Sequence, residues 1–105
     1  MNLHASPPVL SWMSSLADAT RLRILRLVER HELTVAELCA VLQLPQSTVS
    51  RHLKVLADDG WVAVRPEATS RLYRMEVEEL DPAARRLWNL LREQSAGLAG
   101  ASQDD

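Results

Sequence analysis

The chain has 105 residues, 47% of them hydrophobic and 25% charged, with a formal net charge of −2. That length holds one domain with a modest core, and that balance favours a folded chain over a disordered one. Five prolines and three glycines leave little room for a turn-rich all-β fold, and the single cysteine excludes an intramolecular disulfide.

In chain order, the pattern predicts five helices and one hairpin. "PVLSWMSSLA", about 8–17, places Val9, Trp12, Met13 and Leu16 at helical spacing. Asp18 is positioned to cap a second helix, "ATRLRILRLVER", which buries Leu22, Leu25 and Val28 and turns Arg23, Arg26 and Arg30 outward. "TVAE" is a capping box, with Thr34 as N-cap and Glu37 reaching back to it, and it opens a short third helix ending near Leu42. Leu44 and Pro45 form a tight connection, with Pro45 near the first position of a fourth helix that Gly60 ends in a left-handed conformation. "WVAVR" (61–65) and "SRLYRMEV" (70–77) read as two strands joined by the turn "PEAT". Asp81 then caps a last helix, "PAARRLWNLLREQSAG", with Pro82 at its first position. Residues 1–96 are expected to form the domain, and the small, polar 97–105 a flexible tail.

Helix, short helix, tight turn, helix and ribbon is the order of a winged helix-turn-helix, mainly α with a small hairpin wing. In that arrangement the second helix of the turn motif enters the DNA major groove and the ribbon flanks it. The fourth helix, "QSTVSRHLKVLADDG", has the chemistry for that task. Val49, Leu53 and Leu56 share one face and would seat it on the domain. Gln46, Ser47, Thr48, Ser50, Arg51 and Lys54 supply hydroxyls, an amide and cations for phosphates and base edges. His52 projects towards the edge of the apolar face, where packing or capping competes with an occasional phosphate contact. Arg65, Arg71 and Arg74 lie on the ribbon, and at least one is expected to meet phosphate unless acids such as Glu67 or Glu76 pair with them. Residues 46–75 carry five cations against three acids, whereas residues 76–105 carry three against seven, so the positive excess sits where the odd helix lies.

From Ser15 to Met75 the chain resembles the arsenical-repressor (ArsR/SmtB) family of bacterial transcription factors. The matching pieces are "LADATRLRIL", "TVAEL", "QSTVSRHLKVLADDGWV" and the "LYR" closing the second strand. The wing turn "PEATS" lacks the glycine often found there. The resemblance implies a cytoplasmic bacterial homodimer, built on the first and last helices, that represses transcription at a palindromic double-stranded operator and releases it on binding an effector. The last helix supports dimerisation by its own pattern: Ala83, Ala84, Leu87, Trp88, Leu90 and Leu91 cover nearly half its circumference. With Val9, Trp12 and Leu16, the residues Ala84, Leu87, Trp88 and Leu91 are expected to form a seam against a two-fold mate, the alternative being that they pack into their own core.

Many members of that family sense metals. One known site pairs two thiolates as Cys-x-Cys after "EL"; here "ELCAVL" keeps Cys39 and has Val41 at the second position. His4, His31 and His52 are scattered and no histidine follows, so no metal site is expected and Cys39 reads as a small core residue. No resident cofactor is expected, and the effector is expected to be a small molecule. "DPAARRLWNLLREQSAG" is similar to the connector in family members fused to an S-adenosylmethionine-dependent methyltransferase domain, which suggests a methylation-cycle metabolite and either a free-standing relative or a truncated chain. No apolar run approaches the roughly 18–20 residues of a membrane span, and "MNLHASPP" lacks a signal peptide's basic start. No nucleophile–base–acid set or phosphate loop points to an enzyme. The rival readings are a winged-helix protein-interaction module and a metal or redox sensor using Cys39.

Overall fold

Each helix begins where a side chain or a proline removes the problem of its unpaired first N–H groups. In a computed structural model, which describes residues 7–95, α1 (Pro8–Leu16) starts with Pro8 in its first turn, where the missing N–H costs nothing. The Asp18 carboxylate accepts the Arg21 N–H at 3.0 Å and opens α2 (Ala19–Arg30). The Thr34 hydroxyl accepts the Glu37 N–H at 3.1 Å while the Glu37 carboxylate accepts the Thr34 N–H at 2.8 Å, the reciprocal pair that starts α3 (Val35–Leu42). Pro45 caps α4 (Gln46–Asp58) rather than occupying its first turn, because its own extended backbone aims its carbonyl at Thr48 and Val49, both 3.1 Å away.

The end of α4 is set by Gly60 at φ +83°. Its N–H bonds to the Ala57 carbonyl and that of Trp61 to the Leu56 carbonyl, at 3.1 and 2.9 Å, so the last carbonyls of the helix are satisfied as the chain reverses. Trp61 is thereby delivered into the core, fully buried, with its indole N–H donating to Ser15 Oγ at 2.9 Å. Trp12 meets it edge-on, with ring centroids 6.4 Å apart.

The ribbon is a three-stranded antiparallel sheet. β1 (Leu33–Thr34), β2 (Ala63–Glu67) and β3 (Ser70–Arg74) lie in the order β1–β3–β2. The hairpin turn narrows to Ala68 and Thr69, with Glu67 paired to Ser70 and Ala68 at φ +54°. Pro66, which lacks an N–H for a ladder, sits on the edge strand β2. β3 stops at Arg74, short of the expected Val77; the Met75 N–H bonds instead to the Val28 carbonyl at 2.9 Å, and residues 77–79 form a short 3₁₀ turn. The Asp81 carboxylate accepts the Ala83 N–H at 2.8 Å at the start of α5 (Pro82–Ser95). Among the described residues no helix is long and apolar enough to cross a membrane. The expected tail, 97–105, lies outside the described residues.

The core gathers α2, α3 and α4 around Ile24, Leu25, Leu38, Val49, Leu53 and Leu56, with Trp88 closing it from α5. Burying each such aliphatic side chain contributes about 1.5–3 kcal/mol, so α4 is held by its back face and leaves its front face to solvent.

Candidate nucleic-acid interface

On that front face Gln46, Ser47, Ser50, Arg51 and Lys54 are exposed, and Thr48 is half-buried. Arg51 makes no hydrogen bond or ion pair within the described residues, while Lys54 reaches Asp58 one turn on at 3.2 Å, an exposed pair of little energetic weight. His52 departs from the expected set. It is 8% exposed and turned inward, with Nδ1 at 3.2 Å from Arg21 Nη1, so it packs beneath the helix instead of facing a duplex.

The hairpin divides its arginines by strand parity. Residues directly opposite in the ladder share a face: Val64 with Tyr73 and Pro66 with Arg71 on one side, Ala63 with Arg74 and Arg65 with Leu72 on the other. The first face turns towards α4. Arg71, Tyr73 and Val64 line a groove of about 400 Å³ with Ser50, Lys54 and Asp58. The second face carries Arg65 and Arg74, and both are engaged there. Glu32, placed beside Arg74 by the β1–β3 register, takes Arg65 in a two-pronged pair at 2.8 and 2.9 Å. Arg74 reaches the same Glu32 at 3.3 Å and bonds Glu76, and Glu67 lies 3.0 Å from Arg65. The Arg65 hydrogen bond, with the charges of Arg65 and Arg74, holds the Glu32 carboxyl below its ordinary range. Of the three expected wing cations, Arg71 alone faces the groove with its guanidinium uncommitted within the described residues. Arg65 and Arg74 are spent on the sheet's own acids.

The apolar surface is also redistributed. Leu16, Ala84 and Trp88, expected at a seam, are buried in their own chain, and the Trp88 indole N–H donates to Glu29 of α2 at 3.2 Å. A small domain needs these side chains for its single core. Trp12, Leu87 and Leu91 are half-buried. What remains outside is Val9, Leu10 and Met13 on α1 and Leu90 on α5, the last three more than half exposed, beside a small apolar cleft lined by Met13, Leu16, Ala17, Leu87 and Leu91. Cys39 is half-buried against the core, Val41 is exposed, and among the described residues no three His, Cys, Asp or Glu side chains gather around a point.

The sequence pattern of the family described as "Bacterial regulatory protein, arsR family" matches residues 18–64, from the cap of α2 through α4 into β2. The arsenical resistance operon repressor of Staphylococcus aureus is 33% identical over 72 residues, covering 69% of each chain. The chain belongs to the arsR family. The transcriptional activator HlyU of Vibrio cholerae is 38% identical over 68 residues, 65% of this chain, and the match spans 63% of the length of HlyU. The solved structure of reduced HlyU superposes with a TM-score of 0.69 at 31% identity, covering 83% of this chain and 87% of that one. The winged helix-turn-helix domain of Mb0332 from Mycobacterium bovis, described as homodimeric and DNA-binding, shares the fold at a TM-score of 0.71 and 24% identity over 94% of each chain. ArsR-family proteins are transcriptional regulators rather than enzymes, and this chain carries the family's winged helix-turn-helix fold.

Proposed function

We propose that this ArsR-family chain is a sequence-specific regulator of transcription that binds double-stranded DNA in the cytoplasm as a homodimer and acts as a repressor released by a small-molecule effector. The observation that carries the reading is α4. Its buried face is locked by Val49, Leu53 and Leu56, while Gln46, Ser47, Ser50 and Arg51 stand clear of the body. Arg51 reaches a guanine edge in the major groove, the hydroxyls meet phosphates and bases, and Arg71 from the wing adds a phosphate contact beside them. A palindromic operator follows from two copies of α4 about one helical turn apart. The exposed Leu10, Met13 and Leu90, together with Leu87 and Leu91, are the apolar surface for that mate, in keeping with the homodimeric description of the Mb0332 domain. Repression follows the name of the Staphylococcus aureus relative. A small-molecule effector, and not a metal, fits a third helix with one thiol, Cys39, and Val41 in place of a second.

The test is a duplex selected from a randomised pool by the wild-type protein. Arg51→Ala, still a dimer by sedimentation, loses about 1–3 kcal/mol on that duplex and far less on a scrambled one. Equal loss on both would reduce Arg51 to a phosphate contact, and unchanged binding would remove α4 from the groove.

A further inference from the structure

Arg21, in the first turn of α2, serves three acceptors at once. Its Nε donates to the Ser15 carbonyl at 2.5 Å and its Nη2 to the Ser14 carbonyl at 3.3 Å, both at the C-terminal end of α1. Carbonyls there lack the partner four residues on that the helix interior supplies, Ser14 receiving only the capping Ala17 N–H at 3.3 Å, and a cation is favoured by the helix dipole. The remaining arm, Nη1, crosses to α4 and meets His52 Nδ1 at 3.2 Å, with the Asp18 carboxylate 4.0 Å from the same nitrogen. A guanidinium only donates, so Nδ1 must present its lone pair, and the imidazole is neutral with its proton on Nε2. His52 is buried, and the adjoining Arg51 is exposed on the face assigned to DNA. One planar fork therefore ties the end of α1, the start of α2 and the middle of α4, a geometry that a lysine ammonium does not reproduce.

We infer that Arg21 and His52 are positioning residues for DNA recognition: the guanidinium pins α4 to the end of α1, and the pin holds only while the imidazole is neutral. This rests on the DNA-reading role of α4 proposed above. Burial, above all, holds the His52 imidazole below its usual range; Asp18 from the α1–α2 joint pulls the other way, and Arg21 from α2 and Arg51 from α4 itself add to the depression. Protonation fills the lone pair that Arg21 uses and sets an imidazolium against a guanidinium. The pin then opens, and Arg51 loses its fixed aim.

The experiment compares wild type with His52→Gln, His52→Leu and Arg21→Met on the duplex selected by wild type and on a scrambled duplex of equal length, with unfolding and sedimentation run in parallel. Glutamine keeps an acceptor without titrating; leucine keeps bulk without an acceptor. At about pH 7.5 His52→Leu and Arg21→Met lose about tenfold in preference for the selected duplex, the scale of one charge-assisted hydrogen bond, and His52→Gln keeps the wild-type preference. As the pH is taken down through the depressed range of His52, the wild-type preference falls and that of His52→Gln does not. A folded His52→Leu with full preference, or a pH response shared by His52→Gln, overturns the inference and leaves the DNA reading standing. If the leucine and methionine variants do not fold, the pH arm with His52→Gln decides. Nitrogen NMR of the free protein gives a check that needs no DNA: Nδ1 of His52 resonates as an unprotonated nitrogen, and a protonated Nδ1 overturns the pin. A wild type that selects no duplex removes the DNA reading and this inference together.

Discussion

The two faces of the hairpin carry similar residues and opposite roles. On the face towards α4, Arg71 stands in a groove with Tyr73 and Val64, and its guanidinium is uncommitted within the described residues. On the other, Arg65 and Arg74 converge on Glu32, with Glu67 and Glu76 at the flanks, so two cations meet three carboxylates a few ångströms apart. A positive charge in a sequence is thus not yet a positive charge offered to a partner. Strand parity decides which side it leaves from, and long-range pairing decides whether anything remains to offer. The same contrast separates α4 from α5: α4 exposes Gln46, Ser47, Ser50, Arg51 and Lys54, whereas α5 exposes Leu90 and buries Trp88.

The sharpest way to break the comparison is by salt. Arg71→Ala should flatten the dependence of DNA affinity on salt by about one unit of slope, the signature of one lost phosphate contact, whereas Arg65→Ala should leave the slope as it is. Equal slopes in the two variants would erase the distinction between the faces.

A smaller effect lies on the acid side of the stability profile. The Glu32 carboxyl is held below its ordinary value of 4.5, chiefly by its hydrogen bonds from Arg65, so its contribution to stability is fully present above that value and is lost as the pH falls through the lower folded value. Urea midpoints of Glu32→Gln should therefore lie below wild type at neutral pH and converge with it in acid. A gap that stays constant into acid would mean that Glu32 contributes packing and no charge. DNA affinity should be unchanged, because this face is turned away from the groove beside α4.

The smallest effect belongs to the tip between the faces. Ala68 holds a left-handed φ of +54°, which costs an alanine more than a glycine. Ala68→Gly should stabilise the chain by about 0.5–1 kcal/mol, read as a rise of a few degrees in Tm, and leave the salt slope unchanged. A lower Tm would show that the loss of unfolded-chain restriction outweighs the relieved backbone.

Local chemistry made much of this legible from residues alone. Asp18, Thr34 with Glu37, Gly60 and Asp81 all act at helix ends as their positions imply, since capping is settled within four residues. The front and back of α4 follow from period alone. What escaped was non-local or too short to have a period. β1 has two residues, below the length at which alternation is visible, and it exists because Leu33 pairs with Tyr73. Glu32 meets Arg65 across 33 positions, and Arg21 meets His52 across 31, so neither pair leaves a trace in spacing. Arg71 and Arg74 differ by an odd number and must leave opposite faces, a signal that was present, but assigning Arg65 to the second face needs the register. The apolar run of α5 announces burial without naming the chain that does the burying. Leu16, Ala84 and Trp88 went to the monomer's own core.

The edge-on contact of Trp12 with Trp61 has an optical consequence. Two indoles with centroids 6.4 Å apart and planes inclined at 70° couple their strong far-ultraviolet transitions and give a two-signed circular dichroism feature that a lone indole cannot produce. Trp88 is fully buried elsewhere in the core, whereas Trp12 is half-exposed, so a collisional quencher dissolved in the solvent reaches Trp12 first. The chain therefore carries a label-free gauge of whether its first helix keeps its seat against the end of the fourth.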